Sequence, residues 1–340
     1  MGKKEQYNVA VVGAMGMVGT EMIKTLEGRN FPVAEFRPLD IAENEGQEVR
    51  FNGKAYKVLE AKFENFKDID IAIFSAGGDA SEKLAPDAVK QGAVVVDNSN
   101  QWRMNPECPL VVPEVNPQDL DWHKGIIANP NCSTIQMLVA LKPLHDYAKI
   151  KRVVVSTYQA VSGSGMRAFQ GLKHEAKEYL ETGGLKEPKA YGKQIAFNCL
   201  PHIDVFQEGG YTKEEYKMVN ETKKILDKDI KVSPTCVRVP VWYGHSESVN
   251  IETEKKLTRE KALEILANAP SIKVVDDPDN EVYPTPLMSN DEDFTMVGRV
   301  REDKTIENGL NLWVVSNNIR KGAALNAVHV AETLLERNII

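Results

Sequence analysis

The chain has 340 residues, 42% hydrophobic and 27% charged, with a formal net charge of -7 and a pI near 5.6. That length exceeds one ordinary hydrophobic core, so two domains are expected. The acidic balance argues against nucleic-acid binding and leaves any anionic substrate to local basic residues.

In chain order, "YNVAVVGAMGMVGTEMIKTLEG" opens as a buried strand, a glycine turn and a helix that stops near Gly28. No signal-peptide core fits the charged start before it, and no run approaches the ~20 apolar residues of a membrane span, so a cytoplasmic protein is expected. The turn Gly13-Ala14-Met15-Gly16-Met17-Val18-Gly19 has the spacing G-x-x-G-x-x-G. In that position Gly13 permits the tight turn, and Gly16 lets backbone N–H groups approach a pyrophosphate at the positive helix end. Gly19 allows close helix–strand packing. A dinucleotide site is one reading, and a purely structural glycine turn is the other. Further on, "FRPLDIAENEGQ" holds Asp40, Glu43 and Glu45 with Arg37 as its only cation. That composition leans towards NAD, because an acid there takes the ribose 2′-OH, whereas NADP asks for basic residues.

Next, "VRFNGKAYKV" predicts a hairpin about Asn52-Gly53, a pair that tolerates the positive φ of a tight turn. "DIDIAIFSAGG" and "GAVVVDNSNQ" are apolar strands with the helical "DASEKLAPDAVKQ" between them. The alternation predicts an α/β domain whose parallel sheet carries helices on both faces. Beyond about residue 150 the texture changes. The β-rich runs "KRVVVSTYQAVSG", "TCVRVPVWYGHSESVNIE" and "GLNLWVVSNN" alternate with helical "MRAFQGLKHEAKEYLETGG" and "TKEEYKMVNETKKILDKD". A second domain with a mixed or antiparallel sheet follows. The final "KGAALNAVHVAETLLERN" is helical and can return to cover the first domain.

The four cysteines, Cys108, Cys132, Cys199 and Cys236, show no C-x-x-C or zinc-finger spacing, so reduced thiols and no metal site are expected. One of them stands apart, in "ANPNCSTIQMLVALKPL". Asn129-Pro130-Asn131 is a turn signal, Ser133-Thr134 are capping candidates, and Ile135, Leu138, Val139, Leu141 and Leu144 are spaced as a helix. Cys132 therefore lies where a loop becomes a helix N-terminus. There the dipole and unpaired N–H groups favour the thiolate, and the same N–H groups with the Asn131 side chain can cradle an oxyanion. Otherwise Cys132 is a small hydrophobe at a core edge. Beside a dinucleotide fold, a thiolate points to attack on an aldehyde or acyl phosphate, with hydride transfer between hemithioacetal and thioester.

Of the six histidines, His245 in "VWYGHSES" is the strongest candidate base, the alternative being a solvated loop residue. Arg238, in "CVRVPV", either meets a carboxylate or lies on a solvated face. Glu214 and Lys217, in "TKEEYK", are neighbours on one helix face and read equally as a surface ion pair. Arg103, in "SNQWRM", is an anion contact or surface charge.

Together these blocks resemble the aspartate-semialdehyde dehydrogenase family along essentially the whole chain. The matching stretches are "VAVVGAMGMVG", "VVDNSNQWRM", "VPEVN", "NPNCSTIQ", "STYQAVSGSG", "EEYKM", "VRVPVWYGHSESVNIE" and "SNNIRKGAALNAV". The resemblance implies reversible, NADP-dependent reduction of L-aspartyl-4-phosphate to L-aspartate-4-semialdehyde with release of phosphate. That step leads to lysine (through diaminopimelate), threonine, methionine and isoleucine. It further implies a Rossmann-like nucleotide domain over 1–132 and 320–340, and a catalytic and dimerisation domain with a mixed sheet over 133–319, in a homodimer. Carried over by position, Cys132 is the nucleophile, His245 the acid/base, and Gln159 the residue that orients the substrate. Arg238 clamps the α-carboxylate, Glu214 faces the α-ammonium, and Arg103 and Lys217 hold the phosphate. Met15 to Val18, Ser162-Gly163 and Asn318 line the nucleotide. In two places the chain departs from the family pattern: Glu43-Asn44 stand where NADP-using relatives carry a basic pair, which keeps NAD open, and Asn317 stands where Asp is frequent.

Three rivals remain. An N-acetyl-γ-glutamyl-phosphate reductase shares the acyl-phosphate logic but has no ammonium to set opposite Glu214. A glyceraldehyde-3-phosphate dehydrogenase calls for an S-C-T-T-N block, which "NCSTIQ" is not. A non-catalytic dinucleotide sensor needs the glycine turn but not Cys132, Gln159, Arg238 and His245 together.

Overall fold

The computed structural model describes residues 4–188 and 190–340. The chain runs β1 (Tyr7–Val12), α1 (Met17–Gly28), β2 (Val33–Asp40), β3 (Glu48–Phe51), β4 (Lys54–Lys57), β5 (Leu59–Glu60), β6 (Ile71–Phe74), α2 (Gly78–Lys90), β7 (Val94–Asp97) and β8 (Ile126–Ala128). It continues through α3 (Cys132–Ala148), β9 (Ile150–Gln159), α4 (Met166–Thr182), α5 (Lys213–Ile225), β10 (Lys231–Arg238), β11 (His245–Thr253), α6 (Arg259–Ala267), β12 (Ile272–Val274), β13 (Thr295–Asp303), β14 (Gly309–Ser316) and α7 (Leu325–Glu336). Two compact units result: Met1–Asn131 with Ala323–Ile340, and Cys132–Gly322. Cys132 thus opens the second unit, whereas the sequence reading closed the first domain with it. The reason is that the helix it starts packs within the second unit.

In the first unit the strand order is β5-β2-β1-β6-β7-β8, and every pairing is parallel. β1 shows why both faces must be covered. Val9 and Val11 join a cluster with Met22 and Leu26 of α1 and Val328, Val330 and Leu334 of α7. Ala10 and Val12 join Phe74, Ala85 and Ala88 on the other side. A strand buried on both faces reads as a continuous apolar run, which "VAVV" is. The C-terminal helix therefore belongs to the first unit's core. β3 and β4 pair as a separate hairpin, with Asn52 at φ 49° and Gly53 at φ 73°, the positive pair that a tight hairpin turn requires.

The second unit holds a six-stranded mixed sheet in the order β10-β9-β11-β14-β13-β12. Its central pairs β9–β11, β11–β14 and β13–β14 are antiparallel, and its outer pairs β9–β10 and β12–β13 are parallel. Along β11 the buried side chains His245, Glu247, Val249, Ile251 and Thr253 alternate with half-buried ones from Ser248 on. One face is therefore sealed beneath helices and the other is partly open. α3 is buried nearly all round. Ser133 and Thr134, read from sequence as caps, lie inside its first turn and are fully buried, because the helix already starts at Cys132. α5 begins with a capping box between Thr212 and Glu215, which fixes the register that brings Glu214 and Lys217 to one side. Among the described residues no helix is long and apolar enough to cross a membrane.

Candidate active site

The glycine turn follows directly from β1, at the point where strand order reverses between β2 and β6. Gly13 has φ 79°, and a Cβ there would stand 2.4 Å from the Ser75 carbonyl oxygen. A Cβ on Gly19 would stand 1.9 Å from the Gly13 carbonyl oxygen. Both positions therefore require glycine, and Gly16 precedes the first turn of α1 without any side-chain cap. Met17 and Val18 open α1 with main-chain N–H groups that suit a pyrophosphate, and Met15 completes the turn. These residues fit a dinucleotide.

At the end of β2, Asp40 is buried, and its carboxylate accepts from Met15 N at 2.8 Å, Ile41 N at 2.9 Å and Asn44 Nδ2 at 2.9 Å. Asp40 is thus a brace of the glycine turn. Asn44 is spent on that brace, and Glu43 is the exposed acid of the 3-10 turn Ala42–Asn44.

Arg103 is also held by its own unit, and is buried. Its Nε donates to Asn129 O at 2.9 Å and its Nη2 to Asn98 O at 3.0 Å. Sequence reasoning missed the supports of this loop. Asp97 accepts from Ser81 Oγ at 2.8 Å and Ser99 Oγ at 2.5 Å, and Trp102 Nε1 donates to Ser81 Oγ at 2.9 Å. Burial pushes the Asp97 carboxyl up, while both serines and Arg103 pull it down. Asn129 Nδ2 donates to Asn98 Oδ1 at 2.8 Å, and Asn129 Oδ1 accepts from Asn326 Nδ2 at 2.7 Å. The turn before Asn131 is therefore tied to both the arginine loop and the C-terminal helix.

In the second unit, three of the sequence candidates, Glu214, Arg238 and His245, converge on one dipeptide, Gln159-Ala160, whose glutamine is a fourth. Gln159 Nε2 donates to Glu214 Oε1 at 3.0 Å. Ala160 N donates to His245 Nδ1 at 3.0 Å, and Arg238 Nη1 donates to Ala160 O at 2.6 Å. Register explains the convergence, since Arg238 ends β10 directly opposite Gln159 at the end of β9. Gly163 admits the guanidinium and the imidazole: a Cβ there would stand 3.1 Å from Arg238 Nη1 and 3.2 Å from His245 Nε2. Arg238 also lies over the Tyr191 ring, 5.8 Å from its centroid.

His245 and Arg238 are both buried, and His245 Nε2 and Arg238 Nε have no hydrogen-bond partner among the described residues. Because Nδ1 accepts from a backbone N–H, the neutral ring carries its proton on Nε2. Burial pushes the His245 pKa down to about 3, helped by the Arg238 charge and opposed by Glu214. Lys217 Nζ meets Glu214 Oε2 at 3.0 Å and Asp204 Oδ2 at 2.9 Å. Burial works to lower the Lys217 pKa, but those two carboxylates outweigh it and hold it above the ordinary value.

Cys132 begins α3 and is half-buried. A Cβ on Gly322 would stand 2.8 Å from Cys132 Cβ, so the π-turn Arg320–Ala324 passes directly against the nucleophile candidate. Asn317 shapes that turn by accepting from Ile319 N at 3.0 Å and Arg320 N at 3.2 Å, while its Nδ2 donates to Asn290 O at 2.9 Å. An aspartate would keep the first two bonds and lose the third. Asn318 bonds Ser162 Oγ at 3.0 Å and accepts from Gly244 N at 3.0 Å, which braces the residue before His245. The remaining cysteines differ in kind: Cys108 and Cys236 are buried, Cys199 is exposed, and burial pushes the Cys236 thiol up, which suppresses its thiolate.

Two family models match the chain: semialdehyde dehydrogenase, NAD binding domain, over residues 8–123, and semialdehyde dehydrogenase, dimerisation domain, over residues 141–321. An aspartate-semialdehyde dehydrogenase of Aquifex aeolicus is 56% identical over 338 residues, spanning 98% of this chain and 99% of the relative. The chain belongs to the aspartate-semialdehyde dehydrogenase family. Among solved structures, aspartate semialdehyde dehydrogenase II of Vibrio cholerae complexed with ASA matches with a TM-score of 0.95 and 46% identity, covering 98% of this chain and 99% of that one. The Candida albicans enzyme with NADP matches with a TM-score of 0.76 and 27% identity, covering 98% of this chain and 100% of that one.

Proposed function

We propose that this chain interconverts L-aspartyl-4-phosphate and L-aspartate-4-semialdehyde, with Cys132 as the nucleophile and phosphate as the leaving or entering group. The observation that carries the reading is the Gln159-Ala160 hub. It anchors a guanidinium, an imidazole and an amide–carboxylate pair in a buried place, and leaves Arg238 Nε and His245 Nε2 without partners among the described residues. Buried donors left over in this way are the expected mark of a ligand site.

The substrate supplies the complementary groups. Arg238, with Nη1 committed to Ala160, offers its Nε edge to the α-carboxylate as a fork. Glu214, oriented by Gln159, faces the α-ammonium, and Lys217 and Arg103 are the cations for phosphate. The Cys132 thiolate attacks the acyl carbon: a C–S bond forms, the bond to the phosphate oxygen breaks, and phosphate departs. The start of α3 and the Asn131 amide steady the oxyanion meanwhile. A nicotinamide supplies hydride in this direction and takes it up in the other. His245 presents Nε2–H to the alkoxide that forms when the thioester carbon is reduced, and the C–S bond then breaks to give aldehyde and thiolate. In reverse, the same Nε2–H steadies the alkoxide as thiolate adds to the aldehyde. The acid/base role of His245 is thus exercised at Nε2.

Residues Met15 to Val18, with Ser162, Gly163 and Asn318, are proposed to line the nucleotide, and NADP is the proposed cofactor, as bound in the Candida albicans relative. One observation favours NAD as a second reading. Asp40 is engaged in the turn, and the exposed acid after β2 is Glu43, which would repel a 2′-phosphate. The dimerisation-domain match supports a homodimer formed through the second unit, whose open sheet face carries Tyr158 against Trp313 with ring centroids 5.4 Å apart. A cytoplasmic setting, and a place in lysine, threonine, methionine and isoleucine synthesis, complete the reading.

The test mixes purified protein with semialdehyde, phosphate and either NADP or NAD, and follows nicotinamide reduction. Turnover with at least one cofactor is expected. Folded protein that turns over with neither overturns the assignment in favour of a nucleotide sensor.

A further inference from the structure

The chemistry above makes no use of Glu247, a buried acid of the second unit. Glu247 lies two residues past His245 on β11, so both side chains leave the same face of the sheet. Glu247 is fully buried, and neither carboxyl oxygen has a hydrogen-bond donor among the described residues. Its cross-strand neighbours are Thr157 on β9 and Val314 on β14, neither of them a cation. Burial holds the carboxyl well above its ordinary range, with only Gln136 pulling the other way. Burial without a cation beside it favours the protonated carboxyl, which has an O–H to donate.

Gln136 is the group it faces. This residue is fully buried on α3, one helical turn after Cys132 and therefore on the same stripe of the helix. Its Nε2 donates to the His245 carbonyl oxygen at 3.3 Å, and its Oε1 has no donor among the described residues. The amide orientation follows, since the flipped one would set two oxygens against each other. A carboxylic O–H without an acceptor and an amide oxygen without a donor complete one another. The bond from Gln136 Nε2 to the His245 carbonyl leaves Gln136 Oε1 able to accept.

We propose that Gln136 and Glu247 form one positioning unit, in which Glu247 O–H donates to Gln136 Oε1, and which fixes the main chain of His245 against the helix that begins at Cys132. Neither touches substrate. They act through the residues that do: Gln136 ties the nucleophile's helix to the acid/base strand, and Glu247 sets the tilt of its amide. The inference rests on Cys132 and His245 being the reacting pair.

The experiment compares the parent with Gln136→Met, Glu247→Met and Glu247→Gln, reading kcat, KM, thermal midpoint and labelling of Cys132 by acyl phosphate. Gln136→Met removes the tie at nearly constant volume and should lower kcat by up to about 100-fold with little change in KM, as a misplacement of about 1 Å does. Glu247→Met should lower kcat in the same way but less. Glu247→Gln, which still offers a donor to Gln136 Oε1, should restore kcat to near the parent without shifting the pH profile. Should Gln136→Met not fold, Gln136→Asn makes the same test, because its shorter amide cannot reach the carbonyl. Parental kcat in folded Met or Asn variants overturns the proposal, and so does a Glu247→Gln enzyme as slow as Glu247→Met. A parent that turns over without labelling at Cys132 overturns instead the reading on which the proposal rests.

Discussion

The two units build their functional surfaces from different materials. In the first, the glycine turn works through main-chain amides, and the residues that matter are those whose side chains must be absent, Gly13 and Gly19. In the second, the surface consists of buried side chains, Gln159, Glu214, Arg238 and His245, each held by a neighbour far away in sequence. A backbone-built site is compact in the chain and tolerant of which residues flank its glycines. A site of side chains depends on strand register, and its groups have no meaning apart from the partners that hold them.

That contrast sets where substitutions should hurt most. Cys132→Ser should abolish turnover, because an alcohol is a far poorer nucleophile at neutral pH, yet leave cofactor affinity unchanged, since the glycine turn belongs to the other unit. Stopped assays and a fluorescence titration of the nucleotide check the two halves. Substantial residual activity would remove Cys132 from the mechanism. Next in size is Arg238→Lys. A point charge cannot both hold Ala160 O and offer a fork, so KM for the semialdehyde should rise by about 10- to 100-fold. Kinetics matching the parent would leave the carboxylate clamp without support.

The same contrast explains what could be read from the chain alone. The glycine turn, the Asn52-Gly53 hairpin and the apolar run of β1 are local signals, and all three elements form where the sequence predicts them. The hub was legible only through family resemblance. Nothing in "CVRVPV" says that Arg238 will stand opposite Gln159, because a register between β9 and β10 joins residues separated by two helices. Asp40 shows the converse limit. Its position at the end of β2 suggests a ribose ligand, but one oxygen accepts from Met15 N of the glycine turn and the other from Ile41 N. Ser133 and Thr134 mislead for a similar reason, since capping preference cannot tell which residue begins the helix.

A third prediction probes the sealed face of the second sheet through pH. The Glu247 carboxyl is raised above its ordinary value of 4.5 by burial. The folded state therefore keeps a proton that the unfolded chain loses above that value. Its contribution to stability is complete at lower pH and falls as pH rises from there towards the folded value, by up to about 1.4 kcal/mol per pH unit. Glu247→Gln lacks this term. Its stability relative to the parent should thus grow as pH rises above about 5, in urea denaturation at fixed protein concentration. A difference that stays constant with pH would mean that the buried carboxyl is ionised in the folded protein.

The smallest effect should come from the first unit, where a surface charge acts through solvent. Glu43 is exposed in the turn after β2, and its neighbour Asn44 is tied to Asp40. A carboxylate in that position accepts ribose hydroxyls and repels a 2′-phosphate, but an exposed pair interaction amounts to at most about 1 kcal/mol. Glu43→Ser should therefore raise the ratio of kcat/KM for NADP over NAD by about fivefold or less. The gain should shrink as salt is added, since screening already weakens the repulsion in the parent. Asn44 is the internal control. Asn44→Ala should disturb both cofactors alike, because its amide serves the Asp40 brace rather than the 2′ position. If Asn44→Ala moves the ratio and Glu43→Ser does not, discrimination lies in the geometry of the turn and not in its charge.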